Sequence, residues 1–151
     1  MTIASTPLAR FFETYQQANA GPSASAVTAL FSDTFLAAGP EGAKPVPAAA
    51  FGPILEKRKE LFTRLGSQPA ELVEFEEIPL DNRYALANTR WRMTFRREGH
   101  PREAQACEAQ VEESFVVHST FLVDLLCERI LVYLAHQDIF AILRERGILT
   151  E

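Results

Sequence analysis

Near its C-terminus the chain reads ILVYLAHQDIFAILRERGIL, which puts His136 and Asp138 two residues apart at the end of a strand-like run. Strict alternation would give Ile130, Val132, Leu134, His136 and Asp138 one common face. A histidine beside a carboxylate can serve as a general base, because the carboxylate raises its basicity and holds one tautomer. The same Asp138 also suits the N-cap of the short helix that follows, where its charge meets unpaired amides. Arg58 is a second candidate. It lies on a helical apolar stripe, four residues from both Ile54 and Phe62. Facing inward, it could clamp a carboxylate or phosphate or pair with Asp138; otherwise its stem lies along the apolar surface with the guanidinium in water. Trp91 and Met93 fall on the apolar face of a central strand and read as pocket walls or as plain core. Tyr15, on the first helix stripe, offers a hydroxyl to a cavity or to a core partner.

Other chemistry is poorly represented. His136 and Asp138 supply two metal ligands with no evident third, so no metal is expected. No GxSxG, HExxH, P-loop or GxGxxG pattern occurs, and no cofactor is expected. His118 has no assignable face, and His100 sits in a Gly-His-Pro turn. Cys107 and Cys127 lack CxxC spacing and a neighbouring base, and read as structural.

The elements that must position these residues follow from spacing and punctuation. Thr6 and Pro7 cap and open a helix carrying Leu8, Phe11, Phe12 and Tyr15, which Gly21 ends. Ser23 starts a second short helix. Asp33–Ala38 is a short strand broken by Gly39–Pro40–Glu41–Gly42, and Lys44 to Ala50 is a Pro/Ala connection. A third helix is predicted from Pro53 to Leu65, ended by Gly66. Strands follow over Glu71–Ile78 and Tyr84–Arg96, then over Ala104–Leu125 with ambiguous faces, then over Ile130–His136, before a closing helix stopped by Gly147. The central strand puts Ala85, Ala87, Thr89, Trp91, Met93 and Phe95 on one face and Asn88, Arg90, Arg92 and Thr94 on the other. Helices first and strands after predict an α+β fold: a curved antiparallel or mixed sheet wrapped around the N-terminal helices, with a short C-terminal helix and a cavity at the open end.

With 151 residues the chain is expected to form one domain over 1–151, burying about two-thirds of its unfolded surface. The net charge of −5 and scattered Lys and Arg argue against nucleic acid. No run is long enough to span a bilayer, the N-terminus lacks an apolar signal core, and two cysteines fit a reducing cytoplasm.

Taken in order, the helix end Asn19–Ala20–Gly21, the segment AVTALFSDTFLAAGP, the strand ALANTRWRMTF and the run ILVYLAHQD resemble the nuclear-transport-factor-2-like superfamily, and within it the SnoaL-like polyketide cyclase group. The resemblance covers nearly the whole chain and implies a cone-like fold. That superfamily includes isomerases, cyclases, epoxide hydrolases, dehydratases and non-catalytic binding or dimerisation modules. Ketosteroid-isomerase-like members carry a catalytic Asp before the proline that follows the first strand; here Ala37–Ala38–Gly39–Pro40 lacks it. Their oxyanion-hole Tyr falls at Thr14, one step from Tyr15. The acidic residue of cyclase-like members at the end of the last strand matches Asp138. Together with this polar cluster, the resemblance implies a pocket for a small apolar or acidic molecule, closed by His136, Asp138 and Arg58 and able to serve proton transfer. The alternative is a non-catalytic dimerisation or ligand-sensing module, with a homodimer formed through the outer sheet faces.

Overall fold

The computed structural model describes residues 6–98 and 110–150. His100 with its turn, Cys107 and the predicted strand start at Ala104 lie outside the described residues. Helix α1 (Pro7–Ala20) begins as its caps require: the Thr6 hydroxyl accepts from the Ala9 amide at 3.0 Å, and Pro7 fills the first turn. That hydroxyl also donates to Glu77 Oε1 at 2.7 Å, fastening the helix start to strand β3 (Glu71–Pro79). Leu8, Phe11 and Phe12 are buried. A short helix α2 (Ala24–Thr28) buries Ala24 and Val27.

Strand β1 (Phe31–Gly39) turns through Gly42 into β2 (Gly42–Pro47), and helix α3 (Ala48–Arg64) follows directly. Here the predicted Pro/Ala connection over 44–50 is corrected. Pro45 and Pro47 are tolerated because β2 is an edge strand, where a missing amide deprives no inner neighbour. The helix starts five residues before Pro53, accepting one lost backbone hydrogen bond near its beginning. Ile54, predicted on the apolar stripe, is exposed, whereas Leu55 is buried.

Strands β4 (Tyr84–Glu98), β5 (Gln110–Asp124) and β6 (Arg129–Ala135) complete a six-stranded open sheet in the order β2-β1-β6-β5-β4-β3. All pairs are antiparallel except β1 with β6, so the sheet is mixed. The helices cover its concave face, giving an α+β cone. Strand β4 obeys the predicted alternation: Ala85, Ala87, Thr89, Trp91 and Phe95 are buried. Its outward arginines pair across strands, Arg90 with Glu74 at 2.7 Å and Arg92 with Glu71 at 3.1 Å. Such exposed pairs add only about 0–1 kcal/mol each. Helix α4 (Ile139–Glu145) closes one end, where Leu143 and Ile148 pack with Phe95 and Phe115. No described helix is long and apolar enough to cross a membrane.

Two polar contacts fix the ends of the cone. The Asp124 carboxylate, buried at the β5–β6 turn, accepts from Arg83 Nε at 3.0 Å and Nη2 at 2.8 Å, and from the amides of Leu126 and Cys127. Cys127 itself is exposed on that turn. After α3 the chain doubles back against β4: Arg96 N donates to the Gly66 carbonyl at 2.8 Å, and Gln68 N to the Thr94 carbonyl at 2.8 Å. Gly66 has φ +89°, and a Cβ there would lie 1.7 Å from the Arg96 carbonyl oxygen. Only glycine fits, by conformation and by space.

Two outcomes are expected. Gly66→Ala should cost more than about 2 kcal/mol of stability, measured by urea denaturation, since both strain and a backbone clash must be relieved. The Arg83 guanidinium and two backbone amides hold the Asp124 carboxyl down at about 2, below its ordinary 3.8. A depressed acid stabilises the fold above its unfolded value and loses that contribution as pH falls towards its folded one. Wild type should therefore lose stability between about pH 4 and pH 2, whereas Asp124→Asn should be weaker at neutral pH and show a flatter profile across that window.

Candidate functional site

Between the concave sheet face and helices α1 and α3 lies a cavity of about 1180 Å³. Tyr15, Arg58, Trp91 and Met93 all line it, together with Ser119, Phe121 and Tyr133, which the sequence did not single out. Helix α1 delivers Tyr15 one turn beyond Phe12, and its ring meets Phe121 at 5.5 Å and Trp91 at 5.9 Å, both edge-on. The Trp91 indole N–H donates to Thr89 Oγ1 at 2.8 Å, and the Thr89 hydroxyl donates on to the Ser119 carbonyl at 2.9 Å. That buried chain satisfies the indole nitrogen and sets the orientation of the ring. Tyr133 packs against Phe121 at 5.2 Å.

Arg58 reaches in from α3. Its guanidinium carbon lies 5.4 Å from the Phe140 ring and 6.0 Å from that of Phe62, within cation–π range. Among the described residues no carboxylate comes within ion-pair distance of it. The hydroxyls of Tyr15, Tyr133 and Ser119 likewise have no hydrogen-bond partner among the described residues. Burial raises the Tyr15 phenol above its ordinary value, Tyr133 adds to the rise, and Arg58 opposes it. Tyr15 is therefore a neutral donor across the physiological range. The neighbouring Lys59 is already engaged, donating to the carbonyls of Asn19 at 2.8 Å and Gly21 at 2.9 Å at the end of α1. Glu56 and Glu60, the acidic residues of the lining, are exposed on α3.

The expected face of His136 and Asp138 is corrected. Val123 pairs with Ile130 and Leu122 with Val132, so Leu131 is an extra residue in β6. This bulge reverses the alternation: Ile130 and Tyr133 point inward, while Val132, Leu134 and His136 point outward. His136 stacks on His118, its cross-strand neighbour, with ring centroids 3.9 Å apart and planes 6° apart. Its Nε2 lies 2.8 Å from Thr120 Oγ1, whose only proton goes to Asn88 Oδ1 at 2.7 Å; Asn88 Nδ2 in turn donates to Glu76 Oε1. Neutral His136 therefore carries its proton on Nε2. Desolvation, His136 and Arg90 lower the His118 imidazole below its ordinary value, against an opposing pull from Glu74. Asp138 accepts from the amides of Phe140 at 3.0 Å and Ala141 at 3.3 Å, capping α4. Neither residue lines the cavity. No group of three His, Cys, Asp or Glu able to hold a metal occurs among the described residues.

With Lys59 engaged and Arg64 exposed at the rim, the inward groups are the hydroxyls of Tyr15, Tyr133 and Ser119 and the Arg58 guanidinium, set against aromatic walls. The bulge has no recognisable residue signature in LVYLA, which is why Tyr133 escaped the sequence reading. Ser119 was missed because both faces of FVVHSTFLV carry apolar residues.

No family model matches the chain, and no curated protein matches it. Solved structures do. A candidate SnoaL-like polyketide cyclase from Shewanella putrefaciens aligns with a TM-score of 0.59 at 7% identity, covering 97% of this chain and 100% of that one. A ketosteroid isomerase-like protein from Erwinia carotovora aligns at 0.59 and 14% identity, over 84% and 90%. A candidate calcium/calmodulin-dependent protein kinase II association domain from Xanthomonas campestris aligns at 0.60 and 12%, over 87% and 85%. At such identities the likeness shows the fold alone: the chain shares the α+β fold of these proteins.

Proposed function

We propose that this protein binds a small, largely apolar molecule in the cavity between α3 and the concave sheet face. The observation that carries this reading is the convergence of Tyr15, Arg58, Trp91 and Met93, from three separate elements, on one aromatic-walled space. Binding pockets combine such walls with a few placed polar groups. As a reaction site, the hydroxyl donors suit polarisation of a carbonyl oxygen, the step a cyclase-like or isomerase-like proton transfer requires. His136 and Asp138 have no part in that reading. A neutral solvatochromic dye such as Nile red tests it. Wild type is expected to bind one dye per chain with a blue-shifted emission, and Met93→Trp, which sets a bulky indole in the cavity wall, should weaken binding. Equal binding by the two proteins would put the dye elsewhere and contradict the proposal.

A second reading, compatible with the first, is a homodimer joined through the outer sheet face. Ile78, Leu86, Leu122, Val132 and Leu36 are successive cross-strand partners there, forming an apolar row across five strands. Leu36 remains 38% exposed, as does Val116, farther along the outward face of β5, at 42%. The likeness to a candidate association domain supports a surface of this kind. Light scattering on the eluting protein should give twice the chain mass for wild type and the chain mass for Leu122→Glu. A monomeric wild type at tens of micromolar would contradict this reading.

A further inference from the structure

Four of the polar groups that line the cavity are donors that meet no acceptor among the described residues. Tyr15, Tyr133 and Ser119 present hydroxyls, and Arg58 presents its guanidinium, none with a hydrogen-bond or ion-pair partner among the described residues. Ser119 is buried and Tyr15, Tyr133 and Arg58 are half-buried, and polar groups so withdrawn from bulk water ordinarily find hydrogen-bond partners. Four such groups around one space call for an acceptor that carries charge. From this we infer that the ligand is a flat aromatic carboxylate, its carboxyl group held by Arg58 and the Tyr15 and Tyr133 phenols and its rings lying against Trp91 and Phe121. The inference rests on the proposal that the cavity is the ligand site.

The charge count selects a monoanion. Arg58 is the cation that reaches inside: Lys59 is committed to the carbonyls that end α1, and Arg64, also at the rim of the cavity, is exposed. A single guanidinium neutralises a carboxylate; a phosphate dianion would leave excess negative charge among aromatic rings. The geometry agrees. Arginine donates through two parallel N–H groups to a planar carboxylate. The Phe62 and Phe140 rings beside Arg58 limit where its fork can swing. Tyr15 is tuned to the same end: a phenol whose ionisation is pushed upward remains a donor towards an anion. The space also exceeds the roughly 300–1,000 Å³ of ordinary ligand pockets, leaving room for a bicyclic or larger ring system.

Isothermal titration with 2-naphthoate, 2-naphthamide and 2-naphthyl phosphate tests the class. Wild type is expected to bind the carboxylate at least tenfold more tightly than the isosteric amide and more tightly than the phosphate. In Arg58→Gln the carboxylate should fall to the level of the amide, with amide binding unchanged. Arg58→Lys should retain part of the preference, and thermal unfolding confirms that both variants are folded. Equal binding of carboxylate and amide to wild type, or a preference that survives in Arg58→Gln, overturns the inference while leaving the pocket intact. A preference for the phosphate overturns it in favour of a phosphorylated ligand. If Nile red binds and none of the three naphthalenes does, the ligand class is wrong and the cavity reading stands; if nothing binds, both fail.

Discussion

The whole site depends on helix α3 being held across the mouth of the cone without settling onto its floor. Two contacts do this. In its C-terminal half the Lys59 ammonium reaches the carbonyls of Asn19 and Gly21 and so joins α3 to the C-terminus of α1, where the helix dipole favours a cation. At its end Gly66 lies so close to the Arg96 backbone that no side chain fits between them. Helix α3 is thereby joined to α1 on one side and to β4 on the other, and the space beneath it is left for side chains that reach in. Desolvation lowers the Lys59 ammonium from its ordinary value, so the tether is made at some electrostatic cost. Two accepting carbonyls at under 3 Å offset that cost.

Inside and outside are separated by strand parity, and one extra residue decides it for β6. Without the bulge at Leu131, His136 would face the cavity and Tyr133 the solvent. With it, a phenol joins Tyr15 and Ser119, and the imidazole is sent to a surface network through Thr120, Asn88 and Glu76. Bulges re-aim side chains in this way and occur often beside functional sites. The consequence is chemical: the cavity is furnished with donors where simple alternation would have furnished it with a base.

Much of the architecture was legible in the residues. The Thr6–Pro7 cap, the Gly21 stop and the alternation of β4 follow local rules that tertiary structure had no reason to override. Tyr15, Arg58, Trp91 and Met93 could be chosen because helical and strand periods place them on the inward side of their own elements. What could not be read depends on partners distant in sequence. The Pro-rich strand β2 exists only because β1 offers it an edge, and the bulge in β6 only because β5 and β1 pair with it in different registers. Asp138 was readable both as a cap and as a site residue, and the amides of Phe140 and Ala141 occupy it as a cap.

The most direct measurement is a crystal structure of the protein soaked with 2-naphthoate. The carboxylate is expected within hydrogen-bond distance of Arg58 and of the Tyr15 or Tyr133 hydroxyl, with the rings against Trp91. A naphthoate bound with its carboxylate turned towards the mouth, or seated on the outer sheet face, would contradict the account.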